Sequence, residues 1–415
     1  MTSATESAKR GLVAVLLATA VAGVVGYAIQ LLAPRMLPTA DSYVAFSVYW
    51  ATLYLCGSAL TGIQQEVTRA AHPAEPAHRP PALRNATVVF AGILAVAAVV
   101  IGIVFSSQLT TVPMLSLVGS LTIGLIGYLF MVVLSGVMYG LQVWRGVAMI
   151  TIVDALVRAV LVVTGFALHL SPGWIVLLVS APFIIAFGAT WLTVRRRIVG
   201  RFQLDVGYQD LAFNTLRTMG AAAATGLLVS GLPVLLKVTS PAVPAPELAA
   251  HVLAITITRA PIVIPLLALQ SYMISVLRHA GDTLLRRLAI LVAVAAAVVG
   301  VLSLVALWIG PPLIAAISDG RYTITAGMAG AIVASAGLVG LMSVAGPALL
   351  VRSHHGFYAA GWIIAAIVTV LLLLLPLPFD QRLTTALLGG PLAGLAVQTY
   401  GLLTRVRADT RGAQS

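Results

Sequence analysis

Charge is what this sequence has least of. Only 9% of its 415 residues are Asp, Glu, Lys or Arg, against 60% hydrophobic residues. A water-soluble globule carries roughly a quarter charged residues, so these side chains could not cover a soluble surface. Cysteine is nearly absent: Cys56 stands alone in an apolar stretch. A disulfide framework or a Cys-based metal site within one chain is thereby excluded, and the thiol reads as a small buried hydrophobe. Lysine is scarce as well, 2 Lys beside 22 Arg, with abundant alanine. That bias points to a GC-rich bacterial genome. No Walker motif, metal-ligand cluster or nucleophile triad is present. The expectation is therefore a protein that is not an enzyme and that uses no cofactor and no metal. The net charge of +12 does not argue for nucleic acid, because no basic patch lies on a soluble domain.

Long apolar runs are what the chain has in abundance. Runs of about 18 or more residues recur along its length, the signal of transmembrane helices. Twelve spans are expected, over 11–33, 42–64, 86–106, 112–138, 146–168, 173–194, 217–237, 247–275, 286–309, 324–350, 356–377 and 383–403. Backbone groups in hydrocarbon must be satisfied internally, so the spans are helices. Strands of a barrel would be shorter and alternating. Lys9 and Arg10 before the run 11–33 resemble a signal peptide, but the run is longer than a signal core and reads as an uncleaved first span.

Counting bases orients the chain. With the N-terminus inside, the inner segments hold 18 of them and the outer segments 4: Arg35, Lys237, Arg321 and Arg382. Arg158 and Arg259 fall inside spans. The positive-inside rule then puts both termini in the cytoplasm of a multi-pass protein of the bacterial cytoplasmic membrane. Two inner connections stand out. Residues 69–85 are rich in Pro and Ala and read as an irregular loop. Residues 195–217 form a basic connection whose Phe202, Leu204, Val206, Leu211 and Phe213 could lie on the membrane surface. This connection divides the chain into a six-helix lobe over 1–198, a linker over 199–216 and a second six-helix lobe over 217–415. Spans one and two echo spans seven and eight: Arg35 and Asp41 in the first pair correspond to Lys237 and Glu247 in the second. Such a parallel repeat is a transporter plan.

Charges within the spans are the candidate functional groups, since intramembrane ionisable residues mark pathways by default. Asp154 and Arg158 lie one turn apart on span five, acid first, the favourable i,i+4 order. Asp154 sits roughly 12 Å into the membrane by helical rise. The pair either neutralises itself against a neighbouring helix or lines a water-filled cavity. Arg259 has no acid within one turn, and Pro261 and Pro265 follow it. It is the leading candidate for a substrate contact; the alternative is an acid from another span, with Asp154 nearest in depth. Arg35 and Lys237 either snorkel to the interface or ring the outer mouth of a basic cavity. Gln64, Gln65 and Gln270 could bond sugar hydroxyls or serve as interface and capping groups. The Gly-rich tenth span suits close helix packing.

The stretch 31–69 carries a resemblance. LLAPRMLP ends the first span, Tyr43-Val44-Ala45-Phe46 opens the second, and Gly62-Ile63-Gln64-Gln65-Glu66-Val67-Thr68-Arg69 closes it. It resembles the start of polysaccharide-biosynthesis flippases of the multidrug/oligosaccharidyl-lipid/polysaccharide exporter (MOP) superfamily. The resemblance implies an all-α polytopic membrane protein with about twelve transmembrane helices in two six-helix lobes, a MATE-like V-shaped bundle. It implies alternating access, a polyprenyl-phosphate-linked oligosaccharide as cargo, and basic cavity residues on the phosphates, with Arg35 and Arg259 in that place. Glycosyltransferases or a polymerase of the same pathway are the implied partners, besides the bilayer. The drug-exporting branch commonly carries an acid within its early helices; the first span here has none. Two alternatives stay open: a cation-coupled small-molecule antiporter of the same fold, and a membrane glycosyltransferase using a polyprenyl-sugar donor. The latter needs a catalytic acid outside, where Asp41, Asp319 and Asp380 stand isolated.

Overall fold

The structure, a computed structural model, describes residues 2–73, 81–109, 111–205, 207–259, 262, 284–352 and 354–412. The chain is all-α and polytopic. Among the described residues, ten helices are long and apolar enough to cross a membrane, or eleven if one bent pair counts as a single span. Two compact units divide it, Met1–Ala223 and Ala224–Ser415.

The first unit contains α1 (Thr2–Met36), α2 (Ala40–Ala70), α3 (Pro81–Ser106), α4 (Met114–Gly140), α5 (Trp144–Ala167) and α6 (Pro172–Ile198). Its centre is α4, which packs on α2, α3, α5 and α6. Glycine makes that possible. A Cβ on Gly127 would lie 3.0 Å from the backbone nitrogen of Ile184, so α4 and α6 approach backbone to backbone. Membrane helices lack a hydrophobic gradient between them, and such close van der Waals fit substitutes for it. The outer helix α3 leaves Val88, Val96 and Ile103 exposed, as a lipid-facing surface requires.

The connections after α2 and α6 differ from the sequence reading. Residues 71–73 form a strand, β1 (Ala71–Pro73), not an irregular loop. It pairs antiparallel with β2 (Phe202–Leu204), Ala71 opposite Leu204. The linker is therefore docked. Phe202 and Leu211 are buried in the core of the first unit, whereas Phe213 is exposed; Val206 lies outside the described residues. The apolar side chains of this segment divide between core and surface because the short strand pairing turns Phe202 inward.

The seventh span is also not one helix. α7 (Tyr208–Val229) and α8 (Leu232–Thr239) meet at an angle of 74°. Pro233 stands in the first turn of α8 and cannot donate to the carbonyl of Val229, so the ladder breaks there. α1 is unbroken up to Met36, and the proposed repeat of spans one and seven is correspondingly uneven. The second unit continues with α9 (residues 245–259), α10 (Leu284–Ile317), α11 (Ala326–Val351), α12 (His355–Leu373) and α13 (Phe379–Gly412). The Gly-rich α11 is its centre, packed on α10, α12 and α13. Gly337 faces Val299 of α10 closely enough that a Cβ would overlap its side chain.

Candidate functional site

In the first unit the structure brings Asp154 and Arg158 together. Both lie on α5, and the Arg158 guanidinium donates to the Asp154 carboxylate. A second Nη donates to the carbonyl of Val179 on α6. The charge is boxed by rings. Phe183 of α6 lies 4.2 Å from the guanidinium carbon, and Trp50 and Tyr54 of α2 each lie 5.8 Å away. Arg158 is 2% exposed. A cation so placed is held by its carboxylate, a carbonyl and ring faces at once. The arrangement ties α2, α5 and α6 together. The rings have a readable signal: Phe46, Trp50 and Tyr54 recur every four residues and form a continuous ladder, with centroids 5.6 and 5.1 Å apart. The α6 contribution has none, since Val179 acts through its backbone.

Gln64 and Gln65 lie near the polar end of α2, half-buried and exposed respectively. Their neighbours Glu66 and Arg69 do more. Arg69 makes a forked contact with Glu66, at 3.0 and 2.7 Å. It also reaches Asp205 just beyond β2 at 3.3 Å. Asn214 of α7 donates to Glu66 at 3.0 Å. Thr218 of α7 donates to the Gly62 carbonyl at 3.1 Å. The polar end of α2 thus latches the linker and the start of α7 to the first unit. The carboxylate of Glu66 is buried and that of Asp205 is 40% exposed, so the two should differ. Glu66→Ala removes the buried carboxylate that accepts from Arg69 and Asn214 and should lower stability by about 1–3 kcal/mol. Asp205→Ala should cost less than about 1 kcal/mol. Thermal unfolding of the two variants side by side checks this order.

In the second unit, Arg259 ends the described part of α9 and is 3% exposed. One Nη donates to Ser335 of α11 at 2.7 Å. Its Nε and other Nη have no hydrogen-bond partner among the described residues. Ser335 was not legible beforehand, because a lone serine in a Gly-rich helix carries no pattern. Lys237 occupies the last turn of α8 and is partly exposed. Arg35 occupies the last turn of α1 and is exposed. Gln270 lies outside the described residues. Arg259 and Asp154 are placed in different units, each with its own polar partner. Among the described residues, no three His, Cys, Asp or Glu side chains gather to hold a metal ion.

The chain as a whole is similar to known proteins. The uncharacterized protein Rv1510 of Mycobacterium tuberculosis is 31% identical over 94% of this chain and 90% of its own length. Rv3630 of the same species is 30% identical over 93% and 90%. The chain belongs to the family of these mycobacterial proteins. No protein-family model matches it. Solved structures share the fold of the family. An inward-facing multidrug-resistance MATE transporter of the MOP superfamily superposes with a TM-score of 0.67, covering 93% of this chain and 95% of that one, at 13% identity. The lipid II flippase MurJ in an inward closed conformation gives 0.67 over 94% and 87%, at 11% identity. At such identities the likeness is one of fold, and the family's side-chain chemistry has to be read from its own residues.

Proposed function

We propose that this chain is a flippase that moves a polyprenyl-phosphate-linked oligosaccharide, or a related envelope glycan precursor, across the bacterial cytoplasmic membrane by alternating access. Arg259 is the observation that carries the reading. An ionised side chain inside a membrane protein costs at least ~2.5–3.5 kcal/mol unless it is compensated. Arg259 has Ser335 as its one polar partner among the described residues. A guanidinium with two unused donor groups suits a phosphate, which accepts in forked geometry. The phosphate between lipid and sugar is the charged part of such a cargo. Asp154 is neutralised by Arg158, which leaves no lone deep acid for cation coupling among the described residues of the first unit. Arg35 and Lys237 supply further positive charge at helix ends, and in this reading the distribution of basic residues keeps both termini in the cytoplasm. Glycosyltransferases or a polymerase of the same pathway would supply and consume the cargo.

The test is a reconstitution. A fluorescent polyprenyl-diphosphate sugar in vesicles should become accessible to an external reagent faster when the protein is present. Vesicles with protein that match empty ones would overturn the reading. Arg259→Gln removes the charge at near-constant volume. A charged hydrogen bond is worth about 1.5–3 kcal/mol, so flipping should fall by about 10- to 100-fold at unchanged amounts of folded protein. Arg259→Lys retains charge without the fork and should fall between. Full activity of Arg259→Gln removes this side chain from the site.

A further inference from the structure

The first unit carries a groove that the transport reading leaves unused. It has a volume of about 820 Å³ and runs between α3, α4 and α6. Arg84, at the start of α3, and Gly200, just past the end of α6, line its polar end. Val88, Phe130, Phe187 and Trp191 line its apolar length. Three of these form a ladder: Phe130 stacks on Phe187 at 5.2 Å, and Phe187 on Trp191 at 6.2 Å. From Gly200 to Phe187 the groove descends roughly 20 Å along α6 at helical rise, about the depth of one membrane leaflet. Gly200 closes α6 in the left-handed conformation, φ 72°, which only glycine adopts without strain. The chain therefore turns sharply at the groove's mouth.

The mouth is strongly basic. Arg195, Arg196 and Arg197 end α6, and Arg201 follows Gly200. All four are exposed, as is Arg84. Among the described residues none of the five forms an ion pair; Glu66 and Asp205 are both taken by Arg69. We propose that this groove holds an acyl chain of an anionic phospholipid, with the lipid phosphate against Arg84 and the arginines at the end of α6. Charge complementarity selects the headgroup, and the aromatic ladder takes the chain. A zwitterionic lipid carries a cation beside the same phosphate, which offsets most of the attraction to the arginines and leaves mainly the second part. The site is independent of the transported cargo.

Brominated lipids quench tryptophan on contact, and Trp191 lies in the groove. The full chain in nanodiscs is titrated with brominated phosphatidylglycerol or brominated phosphatidylcholine. Subtracting a Trp191→Phe sample isolates the groove. A basic residue at a membrane surface is worth about 1 kcal/mol, roughly fivefold, to an anionic lipid. Phosphatidylglycerol should quench at an apparent affinity at least roughly fivefold above phosphatidylcholine. Arg84→Gln, an exposed change at a helix start, should cut that preference roughly fivefold and leave phosphatidylcholine unaltered. Val88→Trp, on the exposed lip, should weaken both lipids. Glycerol phosphate alone should not compete, because it has no chain. Equal quenching by both lipids, unaffected by Arg84→Gln, would mean ordinary surrounding lipid and overturn the proposal. So would displacement by glycerol phosphate, which would mean a site for a free anion.

Discussion

Arg158→Ala should destabilise the first unit by about 3–5 kcal/mol, the cost of leaving a buried charge without its partner. The substitution removes the donor to Asp154 and to the Val179 carbonyl, and it empties the space between Phe183, Trp50 and Tyr54. Arg158→Lys should recover little. An ammonium is a compact point charge without the planar fork that serves a carboxylate and a carbonyl together. The double change Asp154→Leu with Arg158→Met should recover most of the loss, because a buried ion pair replaced by apolar groups of similar volume is often near neutral. Thermal unfolding of the single variants and the double variant forms the check. If Arg158→Ala unfolds with the parent while transport is lost, the pair lines a pathway and does not tie helices together. Its burial and three-helix contacts favour the tie.

Gly62→Ala should be the second large effect. A Cβ at this position would lie 2.6 Å from the backbone nitrogen of Met219 and 2.9 Å from the carbonyl carbon of Thr218. Backbone cannot rotate away as a side chain can, so α7 must shift off α2. Overpacking of this kind costs about 1–3 kcal/mol. The shift also breaks the bond from Thr218 to the Gly62 carbonyl. Limited trypsin digestion should then cleave the arginine-rich segment 195–217 faster. Gly92→Ala on α3 is the control, because nothing lies within 4 Å of its added methyl; it should digest at the parent rate. Equal digestion of both variants would show that α7 does not depend on this crossing.

Gly62 to Arg69 shows how much of the site was legible. The resemblance picks the segment out, with Gln64 and Gln65 as candidate sugar-binding or capping groups and no role assigned to Gly62, Glu66 or Arg69 singly. The structure gives those three a use. Gly62 lets a helix cross, and Glu66 with Arg69 holds the linker. Nothing local distinguishes these roles, because Asn214 and Thr218 lie some 150 residues further along the chain. Part of the linker, Phe202 and Leu211, departs from the expected surface position for a related reason, whereas Phe213 is exposed. Phe202 and Leu211 are separated from their core neighbours by long stretches of sequence, and the periodicity of so short a segment cannot choose between core and lipid.

Sequence by itself determined the all-α membrane class, most of the span positions and the pairing of Asp154 with Arg158. Each follows from a local rule. Hydrocarbon forces the backbone to satisfy itself within a helix, and four residues bring an acid and a base onto one face. Tertiary structure decided what the charges touch. Val179, Phe183, Trp50 and Tyr54 surround Arg158 from two other helices, and Ser335 reaches Arg259 from a third region of the chain. It also decided that the seventh span bends, with α7 and α8 in place of one helix. The physical reason lies in the solvent. Lipid and protein interior are equally apolar, so hydropathy locates a span but does not say which face meets a neighbour. That is settled by the fit of small residues and by the search of each buried polar group for a partner.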